Sequence, residues 1–351
     1  MLRRFLSPHD PGTTSVPAPG ADVDPSSPPA STPPPVAAGW TEKEPEQPWL
    51  PEALREVMPS LATHAYAHAD AVRATGAAWE ATGATRRGRV HAHAGDFRED
   101  AMAVHVADDL VVAVVSDGAG SARWSRVGAE ATCRAVVDAA VAAWPALAAA
   151  PGDALDAGLG AALGDGVVRA ATTLREAATA AGGQSRDFRC TVVALAWGRA
   201  QGREAMVLVQ VGDGIAAVRR TDGAVERPAA GDSGDFSGEV TCFVPDDGCE
   251  GFARRVVALD AATVDAVLVA TDGIEDPFYP IARRGADVFR QLAEGNDATL
   301  DGFVRQPAHG PVVGHADGAA HLATWLGFEK RGENDDRTIV VLARRAGSAG
   351  S

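Results

Sequence analysis

Short apolar runs, separated by polar and glycine-containing segments, fill the chain from about residue 87 to residue 345. Runs of this length predict β-strands, and longer alanine-rich stretches predict helices. The predicted strands are 89–94, 101–106, 110–116, 190–198, 205–211, 214–219, 254–259, 265–270 and 337–343. The predicted helices are 124–148, 153–181, 283–294 and 317–329. Strands lead, two long helices follow and strands resume, which favours a mixed α+β architecture over a regular βαβ alternation.

The first part of the chain has a different pattern. Residues 1–50 hold 12 of the 22 prolines, among Ser, Ala, Gly and Thr, and predict a disordered tail because such a segment buries little apolar surface. Residues 51–82 carry apolar positions near a 3.6 period and predict a helical lead-in, so that 51–84 precedes the main domain. His64 and His68 would then lie one turn apart, but without an H-E-x-x-H motif we interpret them as ordinary exposed or capping residues. Residues 347–351 are predicted to be a short disordered end.

The formal net charge of −15 argues against nucleic acid or an anionic membrane as the main partner. Four scattered cysteines without a C-x-x-C pair indicate reduced thiols in a cytoplasmic protein, with a Cys242–Cys249 disulfide left open. The longest apolar stretch, at about 135–150, is interrupted by Asp138 and Pro145 and is too short to span a membrane. The first residues do not form a signal peptide, because Pro8 ends a short apolar stretch.

Acidic residues recur at the ends of the predicted strands. Three apolar runs terminate in Asp-Gly, one acidic group directly precedes 101–106, and another precedes 337–343. These groups are Asp117-Gly118, Asp213-Gly214, Asp272-Gly273, Glu99-Asp100 and Asp335-Asp336. Each Asp-Gly alone is better explained as a tight turn than as a ligand, and Asp213-Gly214, with strands on both sides, is the most hairpin-like.

The joint pattern is stronger than any single copy. Carboxylates at strand ends are held on a rigid sheet and can converge at one edge, where they would repel one another unless cations lie between them. Hard oxygen ligands in this number suit Mg²⁺ or Mn²⁺ better than Zn²⁺. The sequence therefore predicts a site for hard divalent cations.

These acidic groups and the residues around them resemble the motifs of a known family, the type 2C metal-dependent serine/threonine protein phosphatases in their bacterial form. The resemblance covers about residues 85–346 and rests on five motifs in the family's order. They are Arg98-Glu-Asp-Ala101, Val115-Ser-Asp-Gly-Ala-Gly-Ser121, Val211-Gly-Asp-Gly214, Ala270-Thr-Asp-Gly273 and Asp335-Asp-Arg-Thr-Ile-Val340. The resemblance implies a four-layer α/β/β/α sandwich, with two central antiparallel sheets flanked by helices and the metals at one end.

The resemblance also implies roles for these residues. Two Mn²⁺ or Mg²⁺ ions would activate a water for hydrolysis of phosphoserine and phosphothreonine. Asp117 would bridge the ions, Gly118 would offer a carbonyl, and Glu99 and Asp100 would serve one ion directly or through water. Asp272 and Asp335 would serve the other ion, and Asp213 would help to hold a third, weaker one. The expected partners are phosphorylated proteins, substrates of a Ser/Thr kinase.

The chain departs from the family at two positions. Many relatives carry a phosphate-gripping arginine where this chain has Gly95; Arg98 or Arg123 is the candidate substitute. Many relatives, chiefly eukaryotic, carry a histidine where this chain has Ala119. The segment 231–241 resembles the mobile flap beside the site, and Asp232 or Asp235 within it is a further candidate ligand for the third ion.

Several other readings compete. A haloacid-dehalogenase-type phosphatase needs Asp-x-Asp after a strand, and Asp117 has Ala119 in that second position. Gly118-Ala-Gly120 lacks the third glycine of a dinucleotide-binding motif, and a P-loop is absent from the sequence. The alternative from another class is a non-catalytic phosphatase-like module that binds a phosphoprotein or a signalling partner. The missing phosphate arginine keeps this alternative open, whereas the retained aspartates favour an enzyme.

Overall fold

The fold is described from a computed structural model of the chain. The structure describes residues 41–345 except 233–239, 247–254, 279 and 302–303. The helices are α1 (Glu52–Arg55), α2 (Arg89–Ala94), α3 (Ser125–Ala149), α4 (Leu155–Ala180), α5 (Asp272–Glu275), α6 (Ile281–Glu294) and α7 (Gly318–Trp325). The strands up to residue 226 are β1 (Ala69–Thr75), β2 (Trp79–Arg86), β3 (Ala101–Val106), β4 (Leu110–Ser116), β5 (Val192–Ala200), β6 (Arg203–Val211), β7 (Ile215–Arg220) and β8 (Val225–Glu226). The later strands are β9 (Val256–Leu259), β10 (Val264–Ala270), β11 (Thr299–Asp301), β12 (Val304–Gln306), β13 (Glu329–Lys330) and β14 (Arg337–Arg344).

Two antiparallel sheets form the centre of the domain. The first has the strand order β1-β2-β14-β10-β7-β8, and the second has the order β3-β4-β5-β6-β9. Strands β11, β12 and β13 form a small third sheet. Because β4 and β10 are buried along nearly their whole length, they read in the sequence as continuous apolar runs, and both were predicted correctly.

Three apolar clusters define four layers. One cluster lies between the two sheets and includes Trp79, Trp197 and Val340. A second joins the outer face of the second sheet to α3 and α4, and a third joins the outer face of the first sheet to α6 and α7. The predicted α/β/β/α sandwich is confirmed.

The prediction of a helical lead-in over residues 51–84 is wrong for most of that segment. Only Glu52–Arg55 is α-helical within 51–82, and Ala69–Arg86 forms the β1–β2 hairpin at one edge of the first sheet. Strand β2 contains small buried residues that fit between neighbouring strands, such as Ala81 and Ala84, in place of the β-branched residues that indicate a strand. The first sheet therefore begins at Ala69.

The prediction of a strand over residues 89–94 is also wrong. These residues form helix α2. Its alternation of histidine and alanine imitated a strand period. Gly95 ends this helix in the left-handed conformation, with φ of 86°, and its backbone N–H bonds to the carbonyl of His91. A glycine at this position is thus explained by the helix terminus.

The end of the predicted tail, residues 41–50, lies against the domain. Leu50 is 4% exposed, the Trp49 ring lies 4.3 Å from the His64 ring, and Lys43 N donates to the carbonyl of Ala92. The prediction of disorder is wrong for this part. Residues 1–40 and 347–351 lie outside the described residues.

His64 lies 3.2 Å from Glu130, whereas His68 lies 2.7 Å from Glu44, so each histidine has its own partner. Cys249 lies outside the described residues, and Cys133, Cys190 and Cys242 are free thiols. Of the helices in the described ranges, α3 alone is long and apolar enough to cross a membrane; this is weak evidence, because a buried core helix passes the same test.

Candidate metal centre

The acidic strand ends converge at one end of the sandwich. In the first sheet Ala270 pairs with both Ile339 and Ile215, which places Asp272, Asp335 and Asp213 at the same sheet end. In the second sheet Ala101 pairs with Ser116, which places Asp100 and Glu99 beside Asp117. The Thr271 hydroxyl, directly before Asp272, donates to Asp100 Oδ2 at 2.9 Å and joins the two sheets at this end.

The carboxylates are close enough to shift one another's pKa. Burial, Asp272 and Asp100 raise the pKa of Asp117 well above its ordinary range. Burial, Asp213 and Asp335 do the same to the pKa of Asp272. Burial also raises the pKa of Asp335, and burial together with neighbouring acids raises the pKa of Asp100 to about 7. Such a cluster disfavours negative charge unless a cation accompanies it.

Several of these oxygens have no hydrogen-bond partner, although Glu99 Oε2 lies 4.0 Å from His91 Nε2. Among the described residues, the buried oxygens Glu99 Oε2, Asp100 Oδ1 and Asp213 Oδ1 accept no hydrogen bond. Burial raises the pKa of Glu99 to about 7 and that of Asp213 to about 6. An unpaired buried carboxylate is costly, and coordination by a hard cation would satisfy it. The donor set, made of carboxylate oxygens, therefore fits Mg²⁺ or Mn²⁺.

Two glycines allow the elements to approach closely at the site. A Cβ at Gly118 would lie 2.8 Å from the Ser125 Cβ and 3.0 Å from the Glu99 Cβ. A Cβ at Gly273 would lie 1.8 Å from the carbonyl oxygen of Asp336. The Asp-Gly pairs at 117 and 272 are thus required by packing between elements, whereas a hairpin turn would require a left-handed glycine.

Asp213-Gly214 is not a hairpin. Strand β6 belongs to the second sheet and β7 to the first, so the turn between them carries the chain across the sandwich. Gly212 and Gly214 have φ of 84° and 85°, which the crossing requires. The turn places Asp213 beside the first sheet's acidic end, where it contributes to the raised pKa of Asp272.

Asp336 and His91 form a supporting contact that the sequence did not reveal. Asp336 is 1% exposed, and its carboxylate accepts hydrogen bonds from Gly88 N and Glu99 N, each at 2.6 Å. His91 Nδ1 lies 2.9 Å from Asp336 Oδ1. Burial alone would lower the pKa of His91, but Asp336, with Glu99 and Asp335, raises it to about 9. Asp336 thus fixes the backbone of Glu99 and of the turn before α2.

The two arginines considered for substrate phosphate lie in different environments. Arg98 is 7% exposed and donates to the carbonyl oxygens of Asp100 and Ala67. Its guanidinium is engaged in holding the backbone, which does not agree with the predicted role in binding substrate phosphate. Arg123 is exposed, stacks on Trp124 at 4.8 Å and lines a groove of about 560 Å³ with Arg126. Its role in phosphate binding stays a prediction.

The flap candidates are only partly described. Asp235 lies outside the described residues. Asp232 accepts a hydrogen bond from Gly212 N at 2.8 Å and forms an ion pair with Arg255. The carboxylate of Asp232 is therefore engaged in fixing the turn that carries Asp213.

The chain belongs to the protein phosphatase 2C family, whose model matches residues 87–305. Comparison with curated proteins gives no match. Among solved structures, a serine-threonine phosphatase 2C from Toxoplasma gondii is 14% identical, with a TM-score of 0.51 over 78% of this chain and 97% of that one. The catalytic domain of the serine/threonine phosphatase PstP, solved with two manganese ions, is 17% identical, with a TM-score of 0.46 over 76% of this chain and 98% of that one. RsbX, solved with magnesium, is 11% identical, with a TM-score of 0.43 over 78% and 100%.

Proposed function

We propose that this protein is a metal-dependent phosphatase that hydrolyses phosphoserine and phosphothreonine in proteins. The single observation that carries the proposal is the buried cage of carboxylates at one end of the sandwich, with unpaired oxygens on Glu99, Asp100 and Asp213. Family membership supports the same reaction class. The expected substrates are phosphoproteins made by a Ser/Thr kinase, and we propose the reducing cytoplasm as the site of action.

The chain's own residues would share the work as follows. Asp117, Asp272 and Asp335, with Glu99, Asp100 and the Gly118 carbonyl, would hold two Mn²⁺ or Mg²⁺ ions, and Asp213 would help with a third. When bound, the ions would supply a water of lowered pKa and would offset charge on the phosphoryl oxygens. The side chains themselves fix positions: Thr271 bonds Asp100 at 2.9 Å, and the Asp117 backbone N–H and carbonyl both bond to Thr191.

The groove beside the cage would accept the protein substrate. It is lined by Phe97, Arg123 and Arg126, and the Arg126 guanidinium stacks on the Phe97 ring at 4.8 Å. The positive charge of Arg126 lowers the pKa of Glu99, which supports placing the groove next to the cage. Glu44, Glu46 and Asp96 also line the groove, so the attraction would be local, from the Arg123 and Arg126 guanidinium groups to a phosphate placed beside them.

The test is phosphate release from a phosphoserine peptide by the full chain after removal of metal with EDTA. We expect no turnover without metal and restored turnover with Mn²⁺. Asp117→Asn and Asp272→Asn should each reduce turnover by at least ~10²-fold. Asp287→Asn, an acid 63% exposed on α6, is the control and should change little. Metal-independent cleavage would refute the mechanism, and peptide binding without turnover would favour the non-catalytic module.

A further inference from the structure

A second group of metal-type donors lies outside the carboxylate cage, in the loop before α7 and in its first turn. One nitrogen of His315, one nitrogen of His321 and one carboxylate oxygen of Asp317 all lie within 4.8 Å of one another. The two imidazole rings lie 5.1 Å apart. We propose that His315, Asp317 and His321 form a zinc site that is separate from the proposed catalytic centre.

The spacing arises from the start of the helix. His321 N donates to the carbonyl of Asp317 at 3.0 Å, so these two residues lie one helical turn apart and on the same side. Asp317 N bonds to His315 Nδ1 at 3.2 Å, which folds the loop back toward the same side. Local backbone geometry therefore brings three donors from seven consecutive positions together.

His321 is oriented as metal-bound histidines usually are. Its Nδ1 lies 2.6 Å from the carbonyl oxygen of Pro311, so Nδ1 carries the proton and Nε2 keeps a free lone pair. Gly310 leaves room for this ring, because a Cβ there would lie 2.4 Å from Cε1 and 2.8 Å from Nε2 of His321. The glycine and the carbonyl thus fix both the position and the tautomer of the ligand.

His315 and Asp317 complete the donor set. The Asp317 carboxylate lies 3.8 Å from His315 Nδ1, and the two side chains are 73% and 45% exposed, so an ion can reach them. The His315 Nδ1 lone pair now accepts the long bond from Asp317 N, and a metal would take that lone pair instead. Two imidazoles and one carboxylate, with a fourth position left for water, are a donor set that zinc favours and magnesium does not.

The position makes the site independent of the carboxylate cage. Gly314 N donates to Glu80 Oε1 at 3.0 Å, and Glu80 pairs with Ala343 in the first sheet. Asp336, at the acidic end, precedes Ala343 by seven residues along β14, which corresponds to about 20 Å of strand. A zinc ion here would join the loop to α7 and stabilise the far end of the domain.

The experiment uses the full chain, stripped with EDTA and returned to excess Mg²⁺ so that the carboxylate cage is occupied. Calorimetric titration with Zn²⁺ should show a tight binding phase that disappears in the variants of His315 and His321, whatever zinc binds at His91, Asp335 and Asp336, and zinc should raise the melting temperature. His315→Ala and His321→Ala should each weaken zinc binding by at least ~10-fold and remove the thermal shift. His93→Ala, a histidine exposed on α2, is the matched control and should bind zinc as the wild type does.

Loss of zinc binding can be distinguished from loss of folding. If His321→Ala unfolds, the half-exposed His315→Ala still decides the question, and circular dichroism in EDTA reports folding independently of zinc. Co²⁺ in place of Zn²⁺ should give a visible absorption band that His315→Ala loses. The proposal would be overturned if the wild type bound no zinc in excess Mg²⁺, or if both histidine variants bound it normally.

Discussion

His91 Nδ1 lies 2.9 Å from the carboxylate of Asp336, although the two residues are 245 positions apart in the sequence (336 − 91). Asp336 immediately follows Asp335, a proposed metal ligand, and its own carboxylate faces inward to receive the backbone N–H groups of Gly88 and Glu99. The contact therefore connects helix α2 and Glu99 to the start of β14. A buried acid with a charged partner and two N–H donors makes the position of Glu99 depend on residue 336.

Asp336→Asn tests this dependence. An amide offers one acceptor oxygen and no charge, so it cannot serve both backbone donors and His91 together. We expect the free energy of unfolding to fall by about 2 kcal/mol, the scale of hydrogen bonds to a charged group, and the Mn²⁺ concentration for half-maximal activity to rise. Thermal melting and a Mn²⁺ titration measure the two effects. Glu333→Gln, 31% exposed beside Lys330, is the control, and equal behaviour of the two variants would contradict the assignment.

Asp213→Ala should impair turnover less than Asp117→Asn does. Asp117 lies where Asp100, Asp272 and Asp335 all influence it, whereas Asp213 lies at the edge of the group, in the turn between the sheets. Loss of Asp213 should leave the two principal cation positions intact. Comparison of kcat/KM for the two variants at saturating Mn²⁺ decides the order. The reverse order would count against a third, weaker position.

Gly273→Ala should damage both folding and activity. The added Cβ would stand 1.8 Å from the Asp336 carbonyl oxygen, and backbone on both sides can yield only by moving Asp272 or Asp335. Overpacking of this kind costs about 1–3 kcal/mol. Gly120→Ala is a matched control, since a Cβ at Gly120 meets nothing within 4 Å. Chemical unfolding and Mn²⁺-dependent turnover report the difference, and similar results for both glycines would exclude the proposed close approach.

The pH dependence of stability should include a contribution from Glu130. Burial alone would raise the pKa of Glu130, but His64, at 3.2 Å, and Arg134 lower it from 4.5 to about 2. A depressed carboxyl pKa stabilises the fold above the unfolded value, and this contribution is lost as pH falls from about 4.5 to 2. The shift corresponds to about 3 kcal/mol.

Urea unfolding of the wild type and Glu130→Gln at several pH values measures this contribution. The stability difference between them should be largest near neutral pH and should shrink progressively below pH ~4.5. Glu52→Gln, whose side chain is 90% exposed in α1, should show no such trend. A pH-independent difference for Glu130→Gln would show that the variant acts through packing rather than through charge.

The strands that the sequence predicted well are those whose residues are apolar on both faces, such as β4 and β14. Strand β2 was missed because Ala81, Gly83 and Ala84 lack β-branched side chains; a Cβ at Gly83 would lie 3.0 Å from the Met102 sulfur, so small residues are needed there. Helix α2 was missed because six residues are too few for a periodic pattern to distinguish helix from strand.

The sequence predicts the part of the candidate site that is formed by aspartates at the ends of buried strands. Asp117, Asp272 and Asp335 lie at ends of buried strands, and antiparallel pairing brings such ends together. The His91–Asp336 contact could not be predicted in the same way, because it depends on how a short helix packs between two sheets. The carboxylate of Asp336 is 1% exposed, and its position beside Asp335 in the sequence does not reveal this burial.

Residues 41–50 should contribute measurably to stability, although the sequence assigned them to a disordered tail. Removal of residues 2–40 keeps the contacts that Trp49 and Leu50 make with the described part of the domain, so we expect the main loss of stability only when residues 41–50 are also removed. Removal of residues 2–50 exposes the apolar surface that Leu50 covers and also frees Arg126, whose Nε donates to the Trp49 carbonyl at 2.9 Å. We expect the free energy of unfolding to fall by at least about 2 kcal/mol, the scale of burying one leucine. Leu50→Ala in the full chain should reproduce most of this loss, and equal melting temperatures for the two truncated chains would show that the segment does not stabilise the domain.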